Sequence, residues 1–232
     1  MRRLLLISNS TNHGQGYLDH ALGEIDDFLG PVRRLLFVPF ALKDRAGYGA
    51  KARERLAAIG VEVSTLTADE AGRMAVHEAE AVFTGGGNTF RLLKTLQDSG
   101  LLPLIRERAL AGMPYLGSSA GTNIAAPTIR TTNDMPIVQP ASFEALWLVP
   151  FQINPHYLDA DPASTHMGET REQRIKEFHE ENETPVVGLR EGAWIRVEGD
   201  HATLGGTRGA RIFRRGEAPE ERGTGDSLDD LL

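Results

Sequence analysis

Short apolar runs alternate with longer amphipathic ones along most of this chain, and no other feature constrains its fold as much. Residues 4–7, 35–38, 61–66, 81–84, 115–117 and 186–189 are short, apolar and bounded by Gly, Pro or Asn. Runs of that kind read as strands. Residues 17–29, 44–59, 89–99, 101–111 and 169–181 read as helices; in the first of them Leu18, Leu22, Ile25 and Leu29 recur at helical spacing. Pro103 falls in the first turn of its helix, where a missing N–H costs little. Strand–helix alternation predicts an α/β fold: a three-layer, mainly parallel sheet with helices on both faces. Past residue 190 the pattern changes. Segments 193–197, 202–204 and 210–213 are short, turn-separated and alternate polar with apolar, which predicts a C-terminal antiparallel meander. The run G-E-A-P-E-E-R-G-T-G-D-S-L-D-D-L-L from Gly216 is acidic and Gly-rich, and it reads as a mobile tail. The expected organisation is one α/β domain over 1–215 and a tail over 216–232.

Composition narrows the class. A chain of 232 residues can bury one sizeable core. No apolar run approaches 18 residues, so no membrane span is expected. The chain has no cysteine, which removes disulfides, thiol nucleophiles and cysteine-ligated metals. A formal net charge of −7 argues against a general nucleic-acid surface. The start, M-R-R-L-L-L-I-S-N-S, has too short an apolar stretch for a signal peptide and reads as a first strand, so a cytoplasmic protein is the simplest account.

The sharpest chemical feature is G-S-S-A-G at 117–121, directly after a short strand and before residues 122–126, which can be helical. A serine on a tight strand-to-helix turn projects its hydroxyl outward. Flanking glycines let neighbouring backbone pass close, and the helix start supplies free N–H groups for an oxyanion. Ser119 has the central register; Ser118 reads as a small filler. T-G-G-G-N-T at 84–89 also lies between a strand and a helix. It lacks the Lys-Ser/Thr of a phosphate loop, and Phe90 stands where a dinucleotide loop needs its third glycine. It can still offer backbone donors, and the N–H groups of Gly87 and Ala120 together would make a two-donor oxyanion hole.

A serine hydroxyl needs a base. Of the seven histidines, His20, His77 and His179 have charged helical neighbours and read as solvated, and His201 sits at a meander turn. His156, in Q-I-N-P-H-Y at 152–157, follows an apolar stretch at the start of a loop, where catalytic side chains gather. No His-Glu-x-x-His or closely paired histidines suggest a metal. Two carboxylates could orient the imidazole: Asp134, in R-T-T-N-D-M-P at 130–136, and Glu191, at the end of an apolar strand. Triads occur in several chain orders, so spacing leaves both open.

Five stretches carry a resemblance. They are G-G-G-N-T-F at 85–90, S-A-G at 119–121, P-T-I-R-T-T-N-D-M-P-I-V at 127–138, Q-I-N-P-H at 152–156 and G-E-T-R-E-Q-R-I at 168–175. With these, nearly the whole chain resembles the peptidase E family of serine-type α-aspartyl dipeptidases. The resemblance implies a glutamine-amidotransferase-like fold with serine replacing cysteine. It also implies hydrolysis of small dipeptides that begin with aspartate, with no metal and no cofactor. It makes Ser119 the nucleophile, His156 the base, Gly87 and Ala120 the oxyanion hole, and Arg171 the partner of the substrate's aspartyl carboxylate. Asp134 and Glu191 both match positions of a third member; Glu191 is favoured for direct contact, with Asp134 supporting the loop. Members of the family usually carry tryptophan where this chain has Ser118, a change that bears on pocket width and specificity. A cyanophycinase-like hydrolase on the same fold, or an inactive small-molecule-binding relative, are the alternative readings. The sequence leaves the oligomeric state open, a homodimer included.

Overall fold

The computed structural model describes all residues except 161, 162, 164, 166 and 167. Its centre is a seven-stranded sheet. Five strands run parallel, in the order β3 (Glu62–Thr65), β2 (Arg34–Val38), β4 (Val82–Thr84), β5 (Tyr115–Ser118) and β1 (Arg3–Ile7). Beyond β1 the antiparallel hairpin of β8 (Ala193–Glu198) and β9 (His201–Gly206) completes the sheet.

The uninterrupted apolar runs follow from burial on both faces. Successive side chains of a strand point to opposite faces. Leu4 and Leu6 of β1, with Leu36 and Val38 of β2, enter one core; Leu5 and Ile7, with Leu35 and Phe37, enter the other. The first core is closed by α3 (Glu70–Glu78), α4 (Thr89–Asp98) and α5 (Leu101–Leu110), through Val76, Leu93, Leu96 and Ile105. The second is closed by α1 (Leu22–Leu29) and α2 (Arg45–Ala57), through Ile25, Phe28 and Leu56. The three-layer expectation therefore holds. Helix α3 has no counterpart in the sequence reading, although Asp69 caps it by accepting the Gly72 N–H at 2.9 Å. The helix expected over 17–29 is split, with a 3-10 turn at Asp19–Ala21 leading into α1.

Three expectations are corrected. First, the C-terminal strands form no single meander. The chain leaves the large sheet after β9, and β10 (Ala210–Phe213) joins a second, four-stranded sheet in the order β11 (Glu220–Arg222), β10, β7 (Val186–Arg190), β6 (Gln152–Tyr157). The strands β6 and β7 run parallel and are connected through α7 (Arg171–Glu181). One face of this sheet adds Ile153, Val187, Leu189 and Ile212 to the first core; the other packs Tyr157, Val186 and Phe213 against Ile175 of α7.

Second, residues 216–232 are folded in. Glu220–Arg222 forms β11 on the edge of β10, and Leu228 and Leu231 are buried. The acidic residues of this stretch meet arginines: Asp230 pairs with Arg214 at 2.5 Å and with Arg222 at 3.2 Å. A low apolar content hid two well-placed leucines. Third, His179 is buried, with its Nε2 3.1 Å from the Thr184 carbonyl, and His20 is half-buried, with burial pushing its pKa down. His166 lies outside the described residues. Among the described residues no helix is long and apolar enough to cross a membrane.

Candidate active site

The nucleophile candidate is held by backbone geometry. Ser119 links β5 to a single helical turn, α6 (Ala120–Asn123), with φ 53° and ψ −109°. Such a conformation costs an L-residue on the order of 1–3 kcal/mol and persists only where the surroundings impose it. They do so here: the Ser119 N–H donates to the Ile7 carbonyl at 3.0 Å, and the Asn123 N–H donates to the Ser119 carbonyl at 2.8 Å. The glycine at 121 is required by close approach, since a Cβ there would lie 2.0 Å from the Thr84 carbonyl oxygen. The helix expected over 122–126 is this one turn, so its dipole is small and the free N–H groups carry the electrostatics. Among the described residues neither the Gly87 N–H nor the Ala120 N–H has an intramolecular acceptor. The neighbouring Gly86 packs so tightly that an added Cβ would fall 2.9 Å from the Ser119 Cβ.

His156 arrives from the second sheet. It lies within β6, not in a loop, at a register shift where its own φ is 54°. Two bonds through one hydroxyl hold this bulge: the His156 N–H donates to Ser8 Oγ at 2.9 Å, and Ser8 Oγ donates to the Leu189 carbonyl at 2.8 Å. The bulge turns the imidazole toward Ser119, with Nε2 2.8 Å from the Ser119 Oγ. Its Nδ1 lies 2.6 Å from Glu191 Oε1, at the tip of the β7–β8 turn. Ser119, His156 and Glu191 thus form one continuous chain of contacts.

Asp134 is elsewhere. It accepts the Thr89 N–H at 2.7 Å and the Thr89 hydroxyl at 2.6 Å, at the N-terminus of α4, where a carboxylate suits the helix dipole. Its segment is stitched to β6. Asn133 Nδ2 donates to the Pro155 carbonyl at 2.8 Å, and Thr131 Oγ1 to the Ile153 carbonyl at 2.8 Å. Asp134 therefore anchors the end of the glycine loop, and Thr131 and Asn133 brace the strand that carries His156.

Arg171 opens α7 and is half-buried. Burial is the main cause lowering the pKa of its guanidinium, Arg174 adds to it and Asp134 opposes it. Among the described residues no acidic side chain forms an ion pair with it. An arginine with no acidic partner among the described residues can take a carboxylate ligand in its donor fork.

Ser119 and His156 open into a cavity of about 470 Å³ that also meets Tyr17, Tyr48, Lys51 and Gly87. Burial pushes both tyrosine hydroxyls up in pKa. The sequence reading passed over Ser8, Tyr17, Tyr48 and Lys51. Ser8 follows β1, beside β5, where ligand sites of parallel sheets gather. The spacing of Asp44, Gly47, Tyr48 and Lys51 places all four on one stripe of α2. The change at 118 falls inside the protein: Ser118 is fully buried on β5, and its hydroxyl has no hydrogen-bond partner among the described residues.

Comparison with known proteins gives consistent matches. The family model described as peptidase family S51 matches residues 4–205. A Streptomyces coelicolor protein named Peptidase E is 58% identical over 229 residues, covering 99% of this chain and 94% of its own. A Drosophila melanogaster protein named "Probable alpha-aspartyl dipeptidase" is 50% identical over 223 residues, covering 95% and 93%. The crystal structure of a peptidase from an acI-B1 Actinobacterium superposes with a TM-score of 0.76 at 18% identity, over 98% of this chain and 96% of that one. A Listeria monocytogenes structure gives 0.69 at 24% identity, over 89% and 99%. These two structural matches speak to the fold alone.

Proposed function

The chain belongs to peptidase family S51 and is a peptidase, and we propose that it is a serine dipeptidase that hydrolyses dipeptides with N-terminal aspartate. The observation that carries the mechanism is the contact chain Ser119–His156–Glu191, with steps of 2.8 and 2.6 Å. In this reading Ser119 Oγ attacks the scissile carbonyl while His156 Nε2 takes its proton. Glu191 holds the imidazole by Nδ1–H and stabilises the imidazolium. The N–H groups of Gly87 and Ala120 receive the oxyanion, each worth about 3–4 kcal/mol to the transition state. His156 then protonates the departing amine, the acyl-enzyme on Ser119 forms, and water attacks it with the imidazole again as base. No step requires a metal or cofactor.

The aspartate preference rests on the relatives' name and on Arg171, whose guanidinium would take the substrate's β-carboxylate in a bidentate pair. Asp134 acts through the loop it anchors. A cytoplasmic location suits an enzyme that trims small peptides from protein turnover. A panel of Asp-Leu, Glu-Leu, Asn-Leu and N-blocked Asp-Leu, run on the wild type and on Ser119→Ala, tests the reading. The expected result is turnover of Asp-Leu by the wild type alone. Equal turnover of Asn-Leu would remove the acidic requirement, and an active Ser119→Ala would remove the mechanism.

A further inference from the structure

Among the described residues that line the Ser119 cavity, Lys51 is the one lysine or arginine. Helix α2 presents it there by spacing: Tyr48 and Lys51 are neighbours on one face, one turn beyond Asp44. Asp44, the acidic side chain of the same wall, is engaged as the N-cap of α2, accepting the Gly47 N–H at 2.9 Å. Lys51 forms no ion pair among the described residues. Its ammonium rests 4.7 Å from the centroid of the Tyr17 ring, and Tyr17 in turn packs edge-on against Tyr48 at 6.2 Å. A cation–π seat holds a lysine head in place without neutralising it, so its charge stays available to a ligand.

Resting on the dipeptidase reading, we propose that Lys51 receives the free α-carboxylate of the substrate's departing residue. His156 must protonate the departing amine, so that residue lies on the His156 side, in the cavity that His156 and Lys51 share. In a dipeptide its carboxylate stands only two bonds from the scissile nitrogen. In a longer peptide a neutral amide takes that place. One ammonium on the cavity wall therefore selects for chain length, while Arg171 selects for the aspartyl side chain. The division is economical for a chain with net charge −7, which would otherwise repel a substrate with two carboxylates.

The test is a comparison of Asp-Leu with Asp-leucinamide, which lacks the α-carboxylate, on the wild type, Lys51→Met and Lys51→Arg. The expected result is a rise in KM for Asp-Leu of about tenfold in Lys51→Met with kcat nearly unchanged, the scale of one hydrogen bond to a charged group. The amide should be cleaved alike by the wild type and Lys51→Met, and Lys51→Arg should regain most of the loss. Equal losses on both substrates, or none on either, would overturn the proposal. So would a fall in the Asp-over-Asn preference that leaves the α-carboxylate irrelevant, which would assign Lys51 to the aspartyl side chain. A wild type that cleaves Asp-leucinamide but shows no preference for Asp-Leu over it refutes Lys51 while leaving the aspartyl reading intact; a wild type that cleaves neither overturns both.

Discussion

Distance separates the two candidate carboxylates, Glu191 and Asp134. Glu191 touches the imidazole at 2.6 Å, whereas Asp134 binds Thr89 at the α4 N-terminus. Glu191→Gln should keep the fold but lose the charge that stabilises the imidazolium, lowering kcat by about 10³- to 10⁴-fold on the pattern of other triads. Asp134→Asn keeps an acceptor for the Thr89 hydroxyl and should cost far less. Steady-state kinetics on Asp-Leu checks this, and the reverse order would exchange the two roles. Arg171→Ala should lower kcat/KM for Asp-Leu by roughly 10- to 100-fold, the range of a charge-assisted pair, while Asn-Leu changes little. A preference for Asp over Asn that survives the substitution would exclude Arg171 from recognition. Residue chemistry marks serine, histidine and carboxylates as candidates in the linear text. It does not distinguish a carboxylate that orients an imidazole from one that caps a helix, because both roles ask only for an exposed anion.

At the scale of elements, the site depends on two strands bent at one residue each. The β5–α6 elbow raises Ser119, and the bulge of β6 turns His156 to meet it, both at positive φ. The elbow is legible in its glycines; the bulge is not, since Q-I-N-P-H-Y looks like a strand that ends at its proline. Only pairing with β7 and the Ser8 hydroxyl beneath His156 define it. The tolerance at the elbow is small. Gly121→Ala would press a methyl against the Thr84 carbonyl and push β4, with the glycine loop that follows it, away from Ser119. Overpacking of this kind typically costs about 1–3 kcal/mol. Thermal unfolding should show that loss, accompanied by a fall in kcat larger than stability alone explains. A variant with unchanged melting and turnover would mean that the elbow has slack the contact distances deny.

For the molecule as a whole, the C-terminal stretch is part of the structure. Deleting residues 216–232 exposes the pocket filled by Leu228 and Leu231 and bares the edge of β10. Two buried leucines are worth roughly 3–6 kcal/mol by area, so the truncated chain should melt many degrees lower; an unchanged Tm would restore the mobile tail. The docking also has a pH signature. The Ala202 N–H, bonded to Asp229 at 2.6 Å, and then His201 hold the Asp229 carboxyl below its usual range. A depressed carboxylate pKa adds stability above the unfolded value and loses it as pH falls through the folded one. The Tm advantage of the full chain over the truncated one should therefore shrink from about pH 5 to pH 3; an advantage that grew on acidification would refute the sign. Taken alone, the order of the residues determined the layered parallel sheet and the sharp turn at Ser119, because burial periodicity and close glycines are local properties. Only the tertiary structure decided that β10 and β11 build a second sheet, that the acidic end is buried, and that an imidazole 37 positions from Ser119 stops 2.8 Å away. Strand partners and side-chain meetings depend on which distant surfaces fit, and that information is spread across the whole chain.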